Sequence, residues 1–177
     1  MECALFGVSG SIDEIIKYIT LTEYATRVER VTEVVYSYMG YSISLSREEV
    51  LHSVTEEGVQ PPRALVYLKV AFPPDRSKSR KTLTRRILKT EVTSGRVEPV
   101  LETIGCTRPI RREYTRKAYS YRGAQLEVLT KDGKDLVTVK ASLESVAASE
   151  AVLHEVKEKL KIWIDLVVPP PSVWKCL

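Results

Sequence analysis

Six basic side chains, Lys69, Arg85, Lys89, Arg112, Arg116 and Lys117, fall in stretches that read as β-strand. Brought together inside a barrel, such guanidinium and ammonium groups could hold a chain of phosphates. Cleaving that chain usually calls for a divalent cation held by paired carboxylates two residues apart on a strand, where both share a face. No Glu-x-Glu occurs here. The nearest pair, Glu29 and Glu33, is split by Val31 on the same strand face, and the polar side of 137–143 offers only Thr138, Lys140 and Ser142. The two histidines, His52 and His154, lie in polar surroundings and read as surface residues. No nucleophile elbow and no phosphate-binding glycine loop is present. The residues therefore predict no catalytic side chain, no metal ligand and no cofactor, and the chain reads as a binding and assembly protein rather than an enzyme.

The elements that must position these residues follow from periodicity. Residues 3–8 form a short apolar strand. Ser11 and Glu14 have capping-box spacing, and Ile12, Ile15, Ile16 and Ile19 then make one helical face. Strands are predicted at 28–38 and 41–45, with the polar stretch 46–62 read as a loop. Further strands follow at 64–72 and 83–92, separated by a basic loop over 73–81. Val97, Val100, Leu101 and Ile104 give a second short helix that Gly105 can end. Residues 111–121 and 124–130 read as a hairpin around Arg122-Gly123, and a second tight turn at 131–133 leads into 136–143. A third helix is predicted from Ser149, with Val152, Leu153, Val156 and Leu160 on one face. From Ile162 the period becomes two, which predicts a final strand ending at Pro169.

Antiparallel meanders with only three helices favour an α+β, mostly antiparallel fold: a closed or nearly closed β-barrel with the helices packed outside. The expected organisation is a single barrel domain over 1–168 and a Pro-rich apolar tail over 169–177.

Composition agrees with a packed domain: 44% of the 177 residues are hydrophobic and 28% charged. No apolar run has the ~20 residues needed to span a bilayer, and the N-terminus does not read as a signal peptide. Cys3, Cys106 and Cys176 are widely spaced, which predicts reduced thiols in an intracellular setting rather than a disulfide framework. The net charge of +4 is uneven: −6 over residues 1–62, +11 over 63–122 and −1 over 123–177. The basic middle could attract nucleic acid or an acidic protein, with Tyr114, Tyr119 and Tyr121 interleaved as stacking platforms. The plainer alternative is a solvated outer strand face carrying Arg85, Arg86, Arg111, Arg112, Arg116 and Lys117.

Residues 83–130 carry a recognisable order: L-T-R-R-I-L-K-T-E-V, a short helix ending V-L-E-T-I-G-C, then R-R-E-Y-T-R-K-A-Y-S-Y-R-G and A-Q-L-E-V-L. This resembles the Mediator subunit eighteen family, of the head module of the RNA polymerase II coactivator. Val100, Leu101, Ile104 and Gly105 match its helix end, with Cys106 where an aromatic is usual. Glu113, Tyr114, Lys117 and Tyr121 match its following strand, with Ala118 in place of a common glycine. The resemblance implies a barrel related to the triphosphate-tunnel barrels and without activity. It also implies a nuclear, non-catalytic structural role that couples regulators to RNA polymerase II, with Mediator subunit twenty and a helix of subunit eight as partners. Nucleic acid is not expected as the primary ligand, and no membrane partner is expected. A metal-dependent RNA 5′-triphosphatase or related triphosphate-tunnel phosphohydrolase is the first alternative, and a nucleic-acid-binding barrel the second. The expected partner-binding residues are Trp163, Val167, Val173, Trp174 and Leu177, because tryptophan is over-represented at interface hot spots and the tail beside it is apolar.

Overall fold

The computed structural model describes residues 1–9, 12–20, 25–55, 58–75 and 81–168. Three hairpins set its topology. β2 (Ala25–Tyr38) and β3 (Tyr41–Thr55) turn at Met39-Gly40, β8 (Thr107–Tyr121) and β9 (Ala124–Lys131) at Arg122-Gly123, and β9 and β10 (Lys134–Ala141) at Asp132-Gly133. Both residues of every turn have positive φ, the backbone whose twist matches paired strands. β1 (Glu2–Val8), β4 (Gly58–Gln60), β5 (Arg63–Ala71), β6 (Leu83–Arg85) and β7 (Ile87–Glu91) complete the sheet. Its order is β6-β1-β10-β9-β8-β2-β3-β5-β7, with β4 extending the far end of β3, and every pairing is antiparallel.

The two edges of that sheet, β6 and β7, are separated in the chain by Arg86 alone. One run of chain therefore pairs with β1 on one side and β5 on the other. Backbone bonds from Phe72 N to Arg86 O (2.9 Å) and from Asp75 N to Thr84 O (2.8 Å) carry the contact past the end of β5. The result is a nearly closed barrel.

Its two larger apolar cores lie outside the barrel wall, and a small cluster of Ala4, Phe6 and Leu83 lies on the inward face. Alternation along each strand sends one set of side chains outward, where helices bury them. α1 (Ile12–Thr20) and α3 (Val146–Leu160) cover Leu5, Tyr119, Leu126, Val128, Val137 and Val139 with Ile15, Ile19, Leu153, Val156 and Leu160. α2 (Val97–Thr103) lays Leu101 over Val34, Tyr36 and Ile43 on the opposite side. The alternate residues of the same strands face inward, and they are largely charged.

Several expectations change. The polar stretch 46–62 is not a loop: β3 runs on to Thr55, because Ser44, Ser46 and Glu48 face the barrel interior. The strand expected over 83–92 divides at Arg86, where the sheet closes. α3 begins at Val146 rather than Ser149; the Ser145 hydroxyl caps it by accepting from Ala148 N at 3.1 Å. The final strand at 162–168 does not form. That segment crosses the outer face of β1, and only Val167 pairs, through reciprocal bonds with Phe6 at 2.8 and 2.9 Å. Ser11, expected to cap α1, and the tail 169–177 lie outside the described residues.

Candidate functional site: a charged tunnel

Two connected chambers fill the barrel. One, of about 240 Å³, lies toward the β8–β9 turn and is bounded by Arg27, Glu29, Glu48, Lys89 and Gln125. The other, of about 470 Å³, opens toward the β9–β10 turn past Arg112, Leu129, Lys131 and Leu136. Glu33, Lys69, Tyr114, Arg116, Glu127 and Lys140 line both and form the waist between them. These six come from five strands, which pair in an order that sequence spacing alone does not give.

An ion-pair network crosses the smaller chamber. Arg116 Nε donates to Glu29 Oε2 at 2.6 Å, and its Nη2 lies 3.0 Å from Glu48 Oε2. Arg27 pairs with Glu29 and reaches Glu48 at 3.5 Å. Lys89 donates to both oxygens of Glu48, at 3.0 and 3.1 Å. At the waist, Lys140 donates to Glu127 at 2.6 Å. Burial pushes the Glu48 carboxyl up, but Arg116 and Lys89 outweigh it and hold it below the ordinary carboxylate range. Glu127 is held down in the same way by Lys140 and Arg116 against its burial. Burial pulls Arg116 down, yet Glu127, Glu48 and Glu29 keep it above its ordinary value.

Lys69 is different. Its side chain lines both chambers, and among the described residues it joins none of the ion pairs or hydrogen bonds. Burial, and next the Lys140 charge, pull its ammonium down to about 8. Glu33 likewise joins none of the ion pairs or hydrogen bonds of the described residues. Its carboxylate, after burial, pushes the Tyr114 hydroxyl up.

The six residues expected as one basic surface divide. Arg85, Arg112 and Arg116 line the tunnel, and Arg85 is buried with its Nε 3.9 Å from Glu2 Oε1. Arg86, Arg111 and Lys117 are exposed. Trp163 is half-buried and stacks on Tyr18 with ring centroids 4.6 Å apart. Val167 is exposed beside β1; Val173, Trp174 and Leu177 lie outside the described residues. Sequence reasoning passed over Glu48, Glu127 and Lys140 as site residues. The signal was there in S-I-S-L-S-R-E over 42–48, whose polar residues alternate as strictly as its apolar ones.

The carboxylates present do not fit a divalent cation. Glu48 lies opposite Val31 on the neighbouring strand, flanked by Glu29 and Glu33, so three carboxylates do converge. Glu29 and Glu48, however, already face guanidinium and ammonium groups, and no group of three acidic, histidine or cysteine ligands is placed to hold a metal among the described residues.

A helix-clad antiparallel barrel with a charged bore is a known architecture. This barrel has the triphosphate-tunnel fold. Solved structures similar to it include a protein from Pyrococcus horikoshii, with a TM-score of 0.75 at 14% identity over 96% of this chain and 95% of that one. The Mediator head module of Schizosaccharomyces pombe matches with a TM-score of 0.68 at 16% identity, over 95% and 98% of the two chains. A protein from Hippeastrum, named for adenylyl cyclase and described as having a dominant triphosphatase activity, matches with a TM-score of 0.59 at 8% identity, over 99% and 96%. No protein-family model matches the chain, and no curated protein matches it in sequence. The likeness to Mediator is therefore one of fold, shared with triphosphate-tunnel proteins. The expectation that the chain is not an enzyme is corrected: the same barrel carries triphosphatase activity in a similar structure, and the missing Glu-x-Glu on which that expectation rested did not keep carboxylates out of the bore.

Proposed function

We propose that the tunnel binds a triphosphate chain at its waist and hydrolyses it. The observation that carries this reading is Lys69, an ammonium inside the barrel that makes no close ion pair among the described residues, although the Glu2 and Glu33 charges favour it from farther off. A buried cation without a counter-ion is costly unless an anion joins it. Arg116 and Lys140 flank the same waist and add donors for phosphate oxygens. Glu33 is the waist carboxylate that joins none of the ion pairs or hydrogen bonds of the described residues. Water attacks the terminal phosphorus, its proton passes to Glu33, and the P–O bond to the next phosphate breaks. Arg116 and Lys69 then meet the charge that gathers on the leaving oxygen.

The test is phosphate release from tripolyphosphate, a nucleoside triphosphate and triphosphate-ended RNA, by the native chain and by Glu33→Gln. Turnover in the native chain that falls at least about a hundredfold in the variant, with binding retained, is the expected result. Binding without turnover in the native chain overturns the hydrolytic half of the reading.

A second reading, as an assembly subunit, is favoured by the match to the Mediator head module over nearly the full length of both chains. Under it the partners are other subunits, with Mediator subunits twenty and eight as the specific candidates, the location is nuclear, and contact residues are Trp163, Val167, Val173, Trp174 and Leu177. Exposed Val100 and Ile104 on and beside α2 offer further apolar surface. Affinity purification from native cells tests it. Recovery of Mediator subunits, weakened by truncation after Val168 in a chain that still folds, favours this reading; their absence removes it.

A further inference from the structure

The larger chamber has a wall that a bare phosphate chain does not use. Val8, Leu136 and Leu129 stand side by side on β1, β10 and β9, through the pairs Val8–Leu136 and Leu136–Leu129. All three line the chamber on the mouth side of the waist. One layer deeper, Phe6 stands opposite Thr138. Thr138 is 1% exposed, and its hydroxyl is buried with no hydrogen-bond partner. Deeper still, the same face of β10 carries Lys140, paired to Glu127 at the waist. Outward of Leu136 and Leu129 the pair Lys134–Lys131 stands at the mouth, and from there inward the wall passes through apolar residues and an unused hydroxyl to the cations of the waist.

Water and phosphate alone gain nothing from that apolar wall, and a buried hydroxyl without a partner is unfavourable until something bonds to it. We propose that the larger chamber binds the non-phosphate part of an organic phosphate. The ligand carries an apolar group, the size of a ring or a short alkyl chain, that lies on Val8, Leu136 and Leu129. A polar atom near its phosphate end meets Thr138, and its phosphates reach Lys69 and Lys140. This inference rests on the triphosphate reading of the waist and names the class of substrate that the site prefers.

The experiment is isothermal titration of the full chain with inorganic tripolyphosphate and with n-hexyl triphosphate. The hexyl ester binds tighter by at least about tenfold, the yield of roughly two buried methylenes. Leu136→Asn and Val8→Asn each remove that advantage and leave the affinity for tripolyphosphate within about twofold. Val8 is exposed at the mouth, so its variant keeps the test valid if Leu136→Asn fails to fold. Tripolyphosphate binding with no gain from the hexyl group overturns this inference alone, as does a gain that survives both variants. Binding of neither ligand overturns the triphosphate reading on which it rests.

Discussion

Arg116 stands directly across the β2–β8 pairing from Glu29 and donates to its carboxylate at 2.6 Å, while the same guanidinium lies 3.0 Å from Glu48. One arginine thus compensates two carboxylates on two strands. An anion entering the smaller chamber competes with those carboxylates for the same donors.

Replacing Glu48 with Gln therefore has opposite effects on folding and on binding. Lys89 and Arg116 lose their shared counter-charge, and the ligand-free protein loses about 3 kcal/mol in urea unfolding, the scale of a broken buried pair. The bore becomes one charge more positive, and tripolyphosphate binds at least about threefold tighter. Weaker binding in this variant would mean that Glu48 serves the ligand directly, as a metal-ligating carboxylate does.

Lys69 sets a pH dependence with a definite sign. In the ligand-free protein its value is depressed from 10.5 to about 8. Between those values the unfolded chain holds more of the proton, so this group's contribution to stability rises as pH rises from 8 to 10.5. Anion binding runs the other way, because it needs the ammonium: affinity for tripolyphosphate falls as pH rises through about 8. Titrations from pH 6.5 to 9.5 measure the fall. In Lys69→Met the step disappears, and the ligand-free protein gains on the order of 1 kcal/mol at neutral pH.

Gly7 tests the crossing of 162–168 over β1. A Cβ at this position would lie 2.7 Å from Ile164 and 2.8 Å from the Asp165 carbonyl oxygen, and the backbone oxygen has no rotamer by which to move away. Gly7→Ala therefore costs about 2 kcal/mol or more and lowers the melting temperature. An unchanged melting temperature would mean that the segment does not pack there.

The outer half of this barrel was legible in the sequence. The isoleucine spacing of α1 and the Arg122-Gly123 and Asp132-Gly133 turns placed a helix and two hairpins, because local geometry alone decides them. The inner half was not. Sequence reading assigns polar residues to water and apolar ones to the interior, and here the interior is the polar side. Ser44, Ser46 and Glu48 were accordingly read as the end of a strand and a loop, and for Arg112 and Arg116 a solvated surface was preferred over a barrel lining. Residues 162–168 show the opposite error. Their alternation matched a strand, yet the free edge of β1 is taken by β6 from Glu2 to Ala4, leaving Phe6 as the one partner for Val167. A period identifies a possible strand; only an open edge makes one. Lys69 was one of six basic residues named as able to hold phosphates, in a reading that favoured no enzyme; that it makes no close ion pair depends on five strands meeting and could not be read from spacing.

The most direct measurement is calorimetric titration of tripolyphosphate into the native protein and into Lys69→Met, at pH 7 and with chelator present. A waist cation that awaits an anion predicts saturable, one-to-one binding by the native chain, weakened at least about tenfold by the substitution, while both proteins unfold cooperatively. Equal affinity in the two proteins, or no binding by a folded native chain, would contradict the assignment of the tunnel as a triphosphate site.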